Sequence, residues 1–411
     1  MIEVAAIAAK VGRKVFSDPN TPEAVKNGLL NVAVAMANAK KRNRWRKQYG
    51  VAPSFFTMDP TSRCNLHCDG CYAGSEAKGD DLSLETMSNA VEEMRTNFGV
   101  HFVVLSGGEP FLRWSEIAQM AARFRDVTFM VYTNGTLLSE DIVARMAQLG
   151  NIFPAISVEG WENETDARRG RGHFNRIKQV MDALKKAGIV FGFSATATSQ
   201  NAGIVSSDKF IDFLIEKGCV FGWYFIYVPI GRNPDVGLMV SPKQRLEMAE
   251  NLYRWRREGK PIIIADFWND GPLVGGCIAG GRRYLHLKAD GSISPCVFCT
   301  LAAANINKID PAKCKFGPIT DTILYSSLFR KYRKAQMKIR NVAAPCPIID
   351  DPYLLREAFG RSLDATILSN TPPGFFDPGS VLGEKLYGNA HAWRECCHQG
   401  QHLRGSVYAN P

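Results

Sequence analysis

Between residues 54 and 235 the sequence alternates six strand-like runs with runs of helical period. The strand-like runs are Phe55–Met58, Phe102–Leu105, Val127–Tyr132, Phe153–Val158, Val190–Thr196 and Trp223–Val228. Most are β-branched or aromatic without strict polar alternation, the pattern of strands buried on both faces. Between them lie Ser83–Met94, Trp114–Phe124, Ser139–Gln148, Phe174–Ala187 and Ser207–Lys217, several opening on a serine that can cap a helix. A strand, a crossover helix and a further strand make a parallel pair. Six such units predict an α/β chain, a parallel sheet curled into a partial (β/α)6 TIM-like barrel.

The flanks read differently. Residues 1–50 form a basic amphipathic helical segment: Thr21-Pro22-Glu23 is a helix start, and the helix runs on into Lys40-Lys41-Arg42-Asn43-Arg44-Trp45-Arg46-Lys47. Ten Lys and Arg against three acids place +7 of the net charge of +10 there, so the basic balance does not describe the whole surface. After Pro229–Pro234 the alternation stops. Residues 236–370 contain a helix (Pro242–Glu258), the run Ile262–Ile264 and a Gly-rich stretch (Gly271–Gly281). A hairpin follows, Tyr284–Lys288 and Ser292–Ser294 joined by Ala289-Asp290-Gly291. Residues 371–411, rich in Pro and Gly, read as an irregular tail.

No apolar run approaches the roughly 18–20 residues that span a bilayer, and no signal peptide is visible, so a cytoplasmic protein is expected. Eleven cysteines are many for that compartment, where disulfides are disfavoured, so clustered thiols read first as metal ligands. Cys219, alone after a helix, reads as a small buried apolar residue.

The first cluster lies directly after the first strand, in Asp-Pro-Thr-Ser-Arg-Cys-Asn-Leu-His-Cys-Asp-Gly-Cys-Tyr-Ala at residues 59–73. Cys64, Cys68 and Cys71 are spaced C-x3-C-x2-C. Thiolates suit iron–sulfur clusters and zinc. Three thiolates on a cubane leave one iron open to a cofactor; with His67, the same loop would make a structural zinc site. Ser106-Gly107-Gly108-Glu109-Pro110 follows the second strand, Thr133-Asn134-Gly135-Thr136 the third, and Ser157-Val158-Glu159-Gly160 the fourth. Asp-Ala-Arg-Arg-Gly-Arg comes after these, with Arg168, Arg169 and Arg171.

In this order the motifs resemble those of the radical S-adenosylmethionine (SAM) superfamily. The aromatic beside the motif, Tyr72, here follows the third cysteine. The resemblance implies a [4Fe–4S] cluster on Cys64, Cys68 and Cys71 that binds SAM through its open iron. Gly107, Gly108 and Glu109 would then meet the SAM amino group, as glycines permit close backbone approach and a carboxylate pairs with an ammonium. Asn134, Ser157 and Glu159 would lie near the cofactor, the last two towards its ribose. Arg169 would stand near its carboxylate. All sit at strand C-terminal ends, where β/α barrels place their active sites.

Cys277 and Cys296 bracket the hairpin in C-x13-G-x4-C, with Gly291 as the glycine. This resembles the SPASM or twitch extension of the same superfamily. It implies a probable second, auxiliary [4Fe–4S] cluster on Cys277, Cys296 and Cys346. The fourth ligand stays open among Cys314, Cys299 and the pair Cys396-Cys397, and free thiols or zinc remain the simpler alternatives.

The expected activity is reductive cleavage of SAM and hydrogen abstraction from a peptide or protein substrate. The alternative is the same chemistry on a lipid or isoprenoid, with residues 1–50 peripheral to the membrane's inner face. A non-enzymatic iron–sulfur or zinc protein is the competing class. A reductant such as flavodoxin or ferredoxin is an expected partner, and no nucleic acid is expected.

Overall fold

The computed structural model describes residues 38–75 and 81–399. Most of the helix predicted from Pro22 lies outside them. Its basic end is α1 (Ala39–Tyr49), closed by Gly50 at φ 72° with Arg46 and Lys47 in the last turn. Trp45 packs 4.8 Å from Phe98 and 5.1 Å from Phe316, and Arg42 donates to the Gly99 carbonyl. Trp45 is therefore turned into the protein, and this helix end packs against the barrel.

Strands β1 (Phe56–Met58), β2 (Phe102–Leu105), β3 (Thr128–Thr133), β4 (Ile152–Ser157), β5 (Gly192–Ala197) and β6 (Phe221–Ile226) pair in parallel in chain order. The connecting helices include α2 (Leu84–Phe98), α3 (Trp114–Arg123), α4 (Glu140–Leu149), α5 (Glu162–Arg169), α6 (His173–Lys186) and α7 (Asp208–Glu216). Ser83, Ser139 and Ser207 each cap their helix by accepting from the backbone N–H three residues on. The expected α/β architecture, a parallel sheet in a partial barrel, is what forms.

The alternation continues past residue 235. α8 (Pro242–Glu258) leads to a seventh parallel strand, β7 (Ile263–Asp266), paired with β6. The predicted hairpin is β8 (His286–Leu287) and β9 (Ser292–Ser294), with Gly291 at φ 87° in its turn. β8 also pairs in parallel with β1, so the extension is an outgrowth of the barrel sheet. Beyond it come β10 (Leu301–Ala302), β11 (Ala304–Asn305), α9 (Pro318–Tyr325), α10 (Ser327–Lys338), α11 (Pro352–Gly360) and β12 (Thr366–Ile367).

The tail read as irregular holds α12 (Val381–Gln399). Leu386, Ala390 and Trp393 are buried on one face of it. Their i, i+4, i+7 spacing is helical, but Gly383 and Gly388 dilute the propensity on which the sequence reading leaned.

A buried polar cluster joins β1, β2 and β8. His286 Nε2 lies 2.6 Å from Asp59 Oδ2, both side chains fully buried, and Ser106 donates to Asp59 Oδ1 at 2.7 Å. Burial by itself would raise the Asp59 carboxyl. The charge and hydrogen bond of His286, then Lys288 and Ser106, outweigh it and hold the group below its ordinary value. A depressed acid stabilises the fold above its unfolded pKa of about 4 and loses that contribution as pH falls through the folded value. Thermal melts from pH 7 to pH 3 will show an acid limb that Asp59→Asn flattens.

Candidate active site

The cysteine loop leaves β1 at its C-terminal end and turns over the barrel mouth. Cys64, Cys68, Cys71 and Tyr72 line one cavity with Gly107, Gly108, Glu109, Asn134, Ser157 and Arg169. The structure thus brings together every residue predicted to touch the cofactor except Glu159, which stands behind the wall.

Two glycines explain how the second motif reaches the first. Gly107 adopts φ 99°, and a Cβ there would lie 2.6 Å from the Thr61 carbonyl oxygen. A Cβ on Gly108 would lie 2.0 Å from the Arg63 carbonyl oxygen. The gap is closed by backbone bonds, Gly108 N–H to Thr61 O and Glu109 N–H to Arg63 O, at 2.9 and 2.8 Å. Gly108→Ala must push the cysteine loop away from the Glu109 loop. Misplacement of about 1 Å is worth about 100-fold in rate, and a loss of that order in SAM cleavage, with folding retained by circular dichroism, is the expected outcome.

Glu109 is buried. Oε1 accepts from Thr133 Oγ1 (2.8 Å) and Phe111 N–H (3.1 Å), and Oε2 accepts from Asn134 N–H at 2.8 Å. Burial pushes its carboxyl up, only partly offset by these donors. A carboxylate offers about four acceptor sites, so Oε2 keeps one for a ligand. Asn134 Nδ2 in turn donates to Asn65 Oδ1 at 2.9 Å and reaches Cys64 Sγ at 4.0 Å.

Glu159 does a different job from the one predicted. Its Oε1 accepts from Arg168 Nη1 (2.7 Å) and from Arg169 Nε (3.1 Å) and Nη2 (2.5 Å), and Oε2 accepts from the Thr196 N–H at 3.0 Å. It therefore orients two guanidiniums that line the cavity. Burial opposes the Arg169 charge, but Glu159 and the nearby Cys68 and Cys71 more than offset this and raise its pKa. Arg168 also donates to the carbonyls of Asp69 (3.2 Å) and Gly70 (3.5 Å), pinning the cysteine loop. Arg171, the third candidate of that motif, is exposed.

Much of the remaining lining is aromatic: Phe55, Tyr132, Trp223, Phe225, Phe267 and Phe298, the last 5.4 Å from Tyr72. Trp223 and Phe225 alternate with buried Tyr224 and Ile226 on β6, so they point into the barrel. The charged side chains lining the cavity are Glu109, Arg168 and Arg169 with the cysteines.

The three thiols suit the cluster expected there. Burial pushes the Cys64 and Cys71 thiols up, and because a metal takes the thiolate its binding would release protons. Iron–sulfur clusters are held by cysteine thiolates, and the loop presents three cysteines to the cavity.

The second cysteine group assembles beneath the hairpin. Cys296, Cys299 and Cys346 are buried and Cys277 is partly so. The Tyr284 hydroxyl lies 2.7 Å from Cys296 Sγ. The Tyr332 phenol is pushed well up, first by burial and then by Cys277, Cys296, Cys299 and Cys346, all of which surround it. Cys299 is the fourth thiol of this group. Cys314 lies elsewhere, near Asp321, Glu93 and Asp310, and Cys397 near Arg245 and Asp350. Cys219 is buried, as read from sequence. Cys299→Ala is expected to remove the second cluster's iron while dithionite-driven SAM cleavage persists, which iron analysis and product chromatography together will check.

The Radical SAM superfamily profile matches residues 58–197. The AdoMet-dependent heme synthase of Methanosarcina barkeri is 26% identical over 359 residues, 80% of this chain and 98% of that protein. The sporulation killing factor maturation protein SkfB of Bacillus subtilis is 26% identical over 259 residues, 59% of this chain and 60% of SkfB. The structure of native anSMEcpe with bound AdoMet superimposes with a TM-score of 0.58 at 17% identity, covering 85% of this chain and 100% of that one. With the cysteine loop, the glycine-bridged Glu109 loop and the strand-end polar residues in one cavity, residues 58–197 are a radical SAM domain and the chain is an enzyme.

Proposed function

We propose that the enzyme abstracts hydrogen from a peptide substrate whose apolar side chain packs against the aromatic lining of the cavity. Cys64, Cys68 and Cys71 would hold a [4Fe–4S] cluster, which when bound would supply the electron for reductive cleavage of SAM. The chain's own residues do the rest. Glu109 Oε2 takes the cofactor's ammonium, Arg169 its carboxylate, and Asn134 and Ser157 hold polar groups between them. Phe55, Tyr132, Trp223, Phe225, Phe267 and Phe298 exclude water and hold the target group. The Cys277, Cys296, Cys299 and Cys346 group holds an auxiliary cluster.

The observation that carries this reading is the charge of the cavity lining. Among the described residues its cations are Arg168 and Arg169, both paired with Glu159, so none is left over for the carboxylates of a tetrapyrrole. A peptide side chain or a lipid chain fits such a wall, and the likeness to SkfB, named as a maturation protein, favours peptide.

The test uses anaerobically reconstituted enzyme with SAM and dithionite. One sample receives a panel of short synthetic peptides bearing apolar side chains, a second an iron porphyrin bearing propionates, a third an isoprenoid lipid. Peptide loss of hydrogen in step with 5′-deoxyadenosine formation supports the proposal. Turnover of the porphyrin or the lipid in its place would overturn it.

A further inference from the structure

A second cavity opens on the far side of the auxiliary cysteines. Its lining includes Tyr49, Cys277, Arg282, Arg330, Arg333 and Lys334, and no carboxylate among the described residues. Burial, then the neighbouring Arg283 and, less, Arg46 at the end of α1, push Arg282 down, and burial, then Arg46, push Arg283 down. Arg333 is pushed down to about 10, first by burial and then by Arg330. Arg282 and Arg333 are fixed by backbone carbonyls: Arg282 donates to Cys277 O (2.7 Å) and Gly276 O (2.8 Å), and Arg333 to Gly280 O (2.9 Å). Carbonyls hold the guanidiniums in place without cancelling their charge. This is a preorganised cationic face built from α1, the turn before β8, and α10.

Its floor matters as much as its charge. Of the four auxiliary cysteines, Cys277 is the most exposed, and it lies in the wall of this cavity. The surface on which positive charge concentrates is therefore where the auxiliary site comes nearest to solvent. Met337, 76% exposed, adds an apolar contact at the rim. A charged patch with a small apolar element suits a transient complex steered by charge, since complementary potentials raise the association rate more than the affinity.

We propose that this face docks a small acidic one-electron carrier protein, its redox group opposite Cys277. The inference rests on the radical SAM reading above, which requires an electron for each SAM cleaved. The balance is simple: the reduced carrier loses one electron and is oxidised by one equivalent, the enzyme gains it, and no proton or group crosses the interface.

The test uses the full-length, cluster-loaded enzyme and a flavodoxin of net negative charge as the probe. Association is followed by stopped-flow flavin fluorescence at several salt concentrations. Arg330 and Lys334 are exposed, so the double variant Arg330→Glu/Lys334→Glu leaves the core intact. Association at low salt is expected to slow at least about tenfold, with a weaker salt dependence. Dithionite needs no docking surface, so dithionite-driven SAM cleavage should match the wild type. Lys186→Glu/Lys243→Glu, on exposed positions elsewhere, controls for net charge. Unchanged association in the first variant, or equal slowing in the control, would overturn the proposal. So would anionic vesicles binding this face with the same charge dependence while flavodoxin does not bind. Absence of SAM cleavage with dithionite in the wild type would sink the radical SAM reading instead, and the binding curves separate that failure from this one.

Discussion

Cys68→Ala will reduce 5′-deoxyadenosine formation to background and remove roughly half the iron of the reconstituted enzyme, leaving the auxiliary share. Cys68 is only partly buried, in a loop outside the hydrophobic core, so its truncation opens no core cavity and the fold should survive. Loss of activity can then be assigned to the site. Cys64→Ala and Cys71→Ala should behave alike, since a cubane that lacks one of three protein ligands has two exposed irons and degrades. Iron and sulfide analysis, with product chromatography, reads both effects. Retained SAM cleavage in any of the three variants would show that these thiols do not hold the catalytic cluster.

Glu159→Ala will destabilise the protein by about 3–5 kcal/mol, the usual cost of stranding the partner of a buried ion pair. The cost falls at the upper end here because two guanidiniums lose one carboxylate. Arg168 and Arg169 are 16% and 13% exposed and Glu159 is 1% exposed, so water replaces little of what is lost. The Thr196 N–H also loses its acceptor. Urea denaturation gives the stability change. Freed from Glu159, Arg168 no longer holds the carbonyls of the cysteine loop in register, so the KM for SAM should rise as well. Glu159→Gln keeps part of the hydrogen bonding without the charge and should lie between the two. Stability and KM both unchanged in the alanine variant would mean that this triad does not brace the site.

The catalytic core was legible because its chemistry is local in sequence. Each motif follows its own strand, and parallel strands carry all of their C-terminal ends to one rim, so residues from 64 to 169 could be assembled without long-range information. β7 was harder to see. It is a short run beside a Gly-rich stretch, and only its pairing with β6 distinguishes it from a loop. The aromatic wall was missed for a related reason. Trp223 and Phe225 look like any other members of a buried strand, and their inward direction follows from register.

Distant pairings were the least legible. Cys299 joins Cys277 and Cys346 only after the hairpin folds back on β1; its C-x2-C spacing from Cys296 fits the extension's pattern, but spacing alone left the fourth ligand open among Cys314, Cys299 and the terminal pair. Glu159 was recognised as important, but its partners could not be: whether a buried carboxylate faces a cofactor or an arginine depends on where α5 begins. The basic run near Lys47 shows the opposite case. Its charge invited a membrane reading, whereas Trp45 found Phe98 and Phe316.

The most direct measurement is electron–nuclear double resonance on the reduced, SAM-bound enzyme, with an isotopic label on the amino nitrogen of SAM. Coupling of the labelled nitrogen to the cluster's unpaired electron, lost in Cys68→Ala, is expected if three thiols leave an iron open to the cofactor. A cluster signal with no such coupling would contradict it.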